Sequence, residues 1–186
     1  MSDETPLDPD EAVGLIPDLS DRHALNLAEA RNIIAAYHWL TDNPEFTREL
    51  PTPDGLRELH RQMFGRVWSW AGTFRQTQKS IGCEAWRIPT ELHQACADLA
   101  TWCLHESYPP SEVLARFHHR LVWIHPFPNG NGRWARLATD LIAEREGWPL
   151  PNWGAGDPSA RDQYLLSLRR ADITDFAQLI LFIKDS

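Results

Sequence analysis

The chain has 186 residues, a formal charge of −8, nine tryptophans and three cysteines. One domain of this size buries roughly 70% of the surface its unfolded chain would expose, and the many large apolar side chains exclude a disordered polypeptide. The acidic balance excludes nucleic-acid binding driven by the whole surface, and no apolar run is long enough to span a membrane.

Residues 1–20 are rich in Asp, Glu and Pro and read as an irregular arm, with one domain over 21–186. Met1-Ser-Asp-Glu-Thr5 opens acidic, unlike a secretory signal. Helical spacing then dominates. Ile33, Ala36, Tyr37 and Leu40 form one stripe, Leu56, Leu59, Met63 and Val67 a second, and Leu92, Cys96, Leu99 and Cys103 a third. Between the second and third, Thr73-Phe-Arg75 and Ala85-Trp-Arg-Ile88 are short β-leaning pieces around Gly82, which predict a hairpin flap. Leu114, Phe117 and Leu121 mark a helix after Pro109-Pro-Ser111, and Trp134, Leu137, Ala138 and Leu141 mark another. Tyr164, Leu165 and Leu168 suggest one more, and Phe176, Leu179, Ile180 and Ile183 close the chain with a terminal helix. The expected class is mainly α, about seven or eight helices with a short β-hairpin flap.

Cys83, Cys96 and Cys103 are odd in number and lack Cys-x-x-Cys spacing, which disfavours a disulfide framework or a zinc cluster and points to the cytoplasm. His118 and His119 are adjacent, so on a helix they point apart, and a structural role is favoured. Trp68, Trp70 and Trp86 are assigned to packing rather than base stacking.

The chemistry concentrates between two helices. Gly130-Asn131-Gly132 sits where a Pro-containing loop meets the helix beginning near Arg133. Glycines let backbone N–H groups approach an anion, and the free N–H groups of a first turn supply positive partial charge. Arg133 and Arg136, three apart, place two cations near a helix N-terminus, where each opposes the dipole and repels the other. A bound polyanion relieves both penalties. His125 lies just upstream, and an imidazole there suits proton abstraction from a hydroxyl.

The segment His125-Pro-Phe127-Pro-Asn129-Gly-Asn131-Gly-Arg133-Trp-Ala-Arg136 resembles the signature of the Fic/Doc family, His-x-Phe-x-[Asp/Glu]-Gly-Asn-Gly-Arg-x-x-Arg. His60, Phe64 and Trp70-Ala-Gly-Thr-Phe-Arg75 resemble the lead into that family's flap, and the likeness runs over most of residues 25 to 184. Within the family the chain is similar to the bacterial group labelled mobile mystery protein B, through Pro6-Leu-Asp-Pro-Asp-Glu-Ala12, Leu25-Asn26, Glu29 and Asn32-Ile33.

The resemblance implies a Fic fold and transfer of AMP from ATP to a Ser, Thr or Tyr hydroxyl of a protein substrate, with Mg²⁺. It assigns His125 as general base and Phe127 as a core anchor. It gives Gly130, Asn131 and Gly132 the α-phosphate, and Arg133 and Arg136 the outer phosphates. Lys79, Ser80, Ile81 and Gly82 become flap residues that meet an extended target segment. Asn129 stands where the family carries an acidic metal ligand. Glu29 is the nearest counterpart of a family inhibitory glutamate that pairs with the second motif arginine, here Arg136, although its flanking residues fail that motif and an exposed or capping carboxylate is the expected role. Two rivals stay open: a Doc-like kinase that transfers the terminal phosphate, and a catalytically weak nucleotide-binding module. Toxin-like use against host proteins follows from family analogy alone.

Overall fold

The computed structural model describes residues 14–17, 22–154 and 157–185, so most of the arm at 1–20 lies outside the described residues. Eight α-helices are present among them: α1 (Arg22–Asp42), α2 (Pro44–Glu49), α3 (Pro53–Phe64), α4 (Ile88–Leu104), α5 (Pro110–Ile124), α6 (Asn131–Glu146), α7 (Ala160–Ala171) and α8 (Ala177–Asp185). Local chemistry accounts for several boundaries. The Thr52 hydroxyl accepts the Gly55 N–H at 3.1 Å and Pro53 sits in the first turn of α3. Gly147, with φ +67°, ends α6 in the left-handed conformation.

The core is built around α6, whose Trp134, Ala135, Ala138, Ile142 and Ala143 are wholly buried. It packs on α5 and on α3, while α1 lies on α3, α4 on α5, and α7 with α8 close the far side. The Trp134 indole N–H donates to the Leu56 carbonyl at 2.9 Å, tying α6 to α3. Each fully buried Leu or Phe, such as Leu56, Leu59, Leu92, Leu99, Phe117 and Phe127, contributes about 1.5–3 kcal/mol to the driving force.

The flap departs from the expected hairpin. Residues 73–84 form an extended loop without strand pairing, and Ala85–Arg87 is a 3-10 turn leading into α4. The carbonyls of Thr77 and Cys83, which a ladder would need, accept instead from the Arg75 guanidinium. Trp86, expected to be packed, is 79% exposed on this turn. Among the described residues β pairing is confined to one bridge, Leu15 to Trp68, supported by the Ile16 N–H to Val67 carbonyl bond at 2.8 Å.

Two histidines are buried outright. His118 reaches Thr139 and Tyr164, and burial pushes its pKa down to about 3, as it does for His60. The unfolded chain takes up a proton at each below pH 6.5, while the fold does not until pH nears 3, so stability falls as pH drops through that window. Asp140, pushed up to about 6 by burial, acts in the opposite sense below pH 6. Between pH 7 and pH 5 each buried histidine costs the fold about 2 kcal/mol. His118→Gln is therefore expected to shrink the difference in urea-unfolding free energy between those pH values by about that amount. An unchanged difference would place a charged imidazole inside the fold.

Candidate active site

The loop from His125 to Gly130 leaves α5 through a left-handed residue. His125 has φ +51° and ψ +60°, and its N–H still closes the helix on Leu121. That conformation costs a non-glycine residue about 1 kcal/mol or more, so neighbours must hold it. The Arg75 N–H donates to the Pro126 carbonyl at 2.9 Å and the Arg75 Nε–H to the His125 carbonyl at 2.7 Å. Phe127 is fully buried, stacked on His60 at 3.7 Å and edge-on to Trp134 at 5.0 Å.

The Asn131 side chain closes the loop from inside. Its Oδ1 accepts the Phe127 N–H at 2.9 Å and its Nδ2 donates to the Phe127 carbonyl at 2.8 Å. This side chain is committed to the loop, leaving backbone groups and arginines as donors for an anion. His60 braces the other flank. The Gly72 N–H donates to Nδ1 at 3.0 Å, which leaves the proton on Nε2 for the Asn129 carbonyl at 3.0 Å. Gly130 has φ +79°, and a Cβ there would stand 2.7 Å from Phe64 ring atoms. A Cβ on Gly132, by contrast, would meet nothing within 4 Å, so the first turn of α6 opens outward.

The imidazole of His125 is largely enclosed. Its Nδ1 is buried without a well-formed hydrogen bond, although the Val122 carbonyl lies close enough to favour the protonated ring. Burial, then the charges of Arg75 and Lys79, outweigh that and lower the pKa to about 4. The ring is neutral at physiological pH and can accept a proton. Gly82, φ +96°, passes directly against it: a Cβ there would lie 2.7 Å from the His125 Cβ and 2.8 Å from Arg75 Nη2. The flap glycine and the histidine are thus brought together, while Ser80 and Ile81 face outward and Lys79 is half-buried.

The two arginines diverge. Arg133 Nη1 donates to Glu29 Oε2 at 2.7 Å and its guanidinium lies 4.8 Å from the Phe64 ring centre. Glu29 Oε1 accepts the Trp68 indole N–H at 2.7 Å. The carboxylate expected to be exposed or capping is therefore buried, with 6% of its side chain accessible, and its arginine partner is Arg133 instead of Arg136. The reason lies in helix geometry: Glu29 falls on the inner face of α1 with Leu25, Asn32, Ala36 and Leu40. Arg136 turns toward α7, 5.8 Å from the Tyr164 ring centre. Asn129 Oδ1 accepts the Gly130 N–H at 2.5 Å.

Sequence reasoning passed over Arg75, a buried arginine whose guanidinium donates to three carbonyls. The available signal was an arginine with no Asp or Glu between residues 59 and 83.

The sequence profile of the Fic/DOC family matches residues 50–143. The protein adenylyltransferase fic-1 of Caenorhabditis briggsae is 34% identical over 137 residues, covering 70% of this chain and 26% of that protein. The protein adenylyltransferase Fic of Nematostella vectensis is 32% identical over 133 residues, 69% of this chain and 31% of the other. The chain thus spans about a quarter to a third of these curated relatives. Among solved structures, Fic-1 of C. elegans superposes with a TM-score of 0.69 at 28% identity, over 93% of this chain and 51% of that one. The Fic domain of Bep8 from Bartonella sp. 1-1C shares the fold, with a TM-score of 0.72 at 15% identity over 90% of this chain and 87% of its own. The matched segment runs from α3 through the flap to α6, which are the elements that meet around His125, and the chain belongs to the Fic/DOC family.

Proposed function

We propose that this chain is a protein adenylyltransferase that moves AMP from ATP to a Ser, Thr or Tyr hydroxyl of a target protein. The observation that carries the reading is His125, a neutral imidazole on the loop that runs from α5 into α6, against the flap glycine Gly82. In the reaction, His125 takes the hydroxyl proton and the oxygen attacks the α-phosphorus. The bond from that phosphorus to the bridging oxygen breaks, and pyrophosphate leaves. The Gly130-Asn131-Gly132 backbone would face the α-phosphate as a preorganised donor set, with Arg133 and Arg136 for the outer phosphates. A polyanion beside the imidazole would raise its pKa from about 4 toward the working pH, which improves it as a base. The flap at Lys79–Gly82 would receive an extended segment of the target. Names of the relatives in worm and sea anemone, both protein adenylyltransferases, support the reading.

We infer that residues 21–186 form the Fic domain and that the chain is akin to the mobile mystery protein B group, a reading that rests on the N-terminal residues quoted above. A cytoplasmic setting agrees with three cysteines, Cys83, Cys96 and Cys103, that form no disulfide. No helix among the described residues is long and apolar enough to cross a membrane.

Asn129 bears on Mg²⁺. Its amide oxygen is neutral and engaged by the Gly130 N–H, and no group of three acidic or His/Cys side chains among the described residues could hold a metal. The residues present therefore fit a resident Mg²⁺ poorly, and no step is assigned to it. This observation favours a second reading, a nucleotide-binding module with weak turnover. ATP labelled in separate experiments at the α- and the γ-phosphorus separates the readings from each other and from a kinase. Target bands labelled from the α position and lost in His125→Ala are expected; label from the γ position alone would mark a kinase, and none from either position a binding module.

Restoring the acidic ligand is the second measurement. Asn129→Asp is expected to tighten Mn²⁺ binding in the presence of a non-hydrolysable ATP analogue by tenfold or more in calorimetry. Unchanged affinity would remove position 129 from the metal's surroundings.

Glu29 is the third. Its carboxylate pairs with Arg133 and with the Trp68 indole, so Glu29→Gln is expected to lower AMP transfer at least tenfold and to cost the fold about 1–3 kcal/mol. A gain in transfer would instead make Glu29 a restraint that competes with the triphosphate for Arg133.

A further inference from the structure

We propose that Arg75 is a positioning residue that clamps the flap and the left-handed turn at His125 into one unit, so that target segment and base are held in register. This extends the transferase reading above and rests on it for its catalytic consequence. Arg75 is 2% exposed, and carbonyls rather than a carboxylate face its guanidinium among the described residues. Nε–H reaches the carbonyl of His125 at 2.7 Å, Nη1 that of Thr77 at 2.9 Å, and Nη2 that of Cys83. Two of these acceptors, Thr77 and Cys83, lie within the flap loop, and the third belongs to the residue that carries the base. The backbone N–H of Arg75 adds a bond to Pro126.

The choice of acceptors separates this from ordinary packing. A buried charge is costly unless its donors are satisfied, and two carbonyls of the flap loop with one from the His125 turn satisfy it only when loop and turn hold one arrangement. Loosening the flap therefore strands the guanidinium, and moving the guanidinium releases the His125 turn. The close passage of Gly82 between Arg75 Nη2 and the His125 Cβ shows how little slack the unit has. Lysine, a point charge without the planar fork, cannot span three directed acceptors. The same guanidinium, together with Lys79, also disfavours protonation of the imidazole.

The test compares Arg75→Lys and Arg75→Gln with the unaltered protein, free of nucleotide and target. Amide hydrogen exchange at residue 75 and at His125, whose N–H groups bond to the Pro126 and Leu121 carbonyls, is expected to accelerate tenfold or more in both variants, with the amides of α6 still protected. The His125 ring titration, followed by NMR, is expected to move upward from about 4 in Arg75→Gln. With α-labelled ATP, kcat should fall at least tenfold while KM for ATP stays within twofold. Unchanged exchange at these two amides and an unchanged titration would overturn the clamp, and so would loss of protection throughout the chain in both variants, which would make Arg75 a general stability residue. If exchange accelerates as expected but the unaltered protein transfers no AMP, the clamp stands and the transferase reading fails.

Discussion

A single left-handed residue at the end of α5 governs the architecture of the site. His125 can occupy φ +51° only because the chain on either side is pinned: Arg75 from the flap, His60 from α3 and the Asn131 side chain from α6 all bond to backbone groups of residues 125–129. Phe127 is the plug those bonds close around, stacked on His60 and edge-on to Trp134. The strained turn and the buried aromatic are two halves of one device. Burial of Phe127 stabilises the loop by about 1.5–3 kcal/mol, enough to offset the strain of one left-handed residue.

The device leans on polar groups held out of water. His60 is kept neutral by burial, which lets one nitrogen accept from Gly72 while the other donates to Asn129. A protonated His60 would carry two donors, lose the Gly72 bond and stand beside Arg133 without compensation. Glu29 plays the matching role on the α1 side, where one carboxylate oxygen takes the Trp68 indole and the other takes Arg133. Both residues link a helix of the frame to the motif, so the frame and the site are difficult to alter separately.

What the sequence disclosed divides along physical lines. Helices α3 to α6 were legible because their apolar spacing reports a face and their Pro and Gly residues report ends, and the motif was legible because glycines, arginines and a histidine occur at short, fixed separations. The flap was misread because β-leaning composition describes a local preference, while the conformation there is set by a side chain, Arg75, that captures the carbonyls a hairpin would have paired. Glu29 was misjudged for a related reason. A glutamate on a helix is ordinarily solvated, and only the placement of α1 over α3 brings it to Trp68 and Arg133. Exposed Trp86 reverses the general rule for a large aromatic, and local sequence carries no sign of it.

The divergence of Arg133 and Arg136 bears on how an anion would be taken up. Each guanidinium already has company: Arg133 a buried carboxylate, Arg136 the Tyr164 ring and the field of Asp140. Two arginines left side by side at a helix N-terminus would repel each other and oppose the dipole, so these partners are what allow the motif to fold without ligand. Under the transferase reading proposed above, a triphosphate would have to draw both guanidinium groups from these separate partners toward the α6 amides, which a single carboxylate could not do. Within the fold the two cations of the motif are thus satisfied separately, one by a carboxylate and one by an aromatic ring.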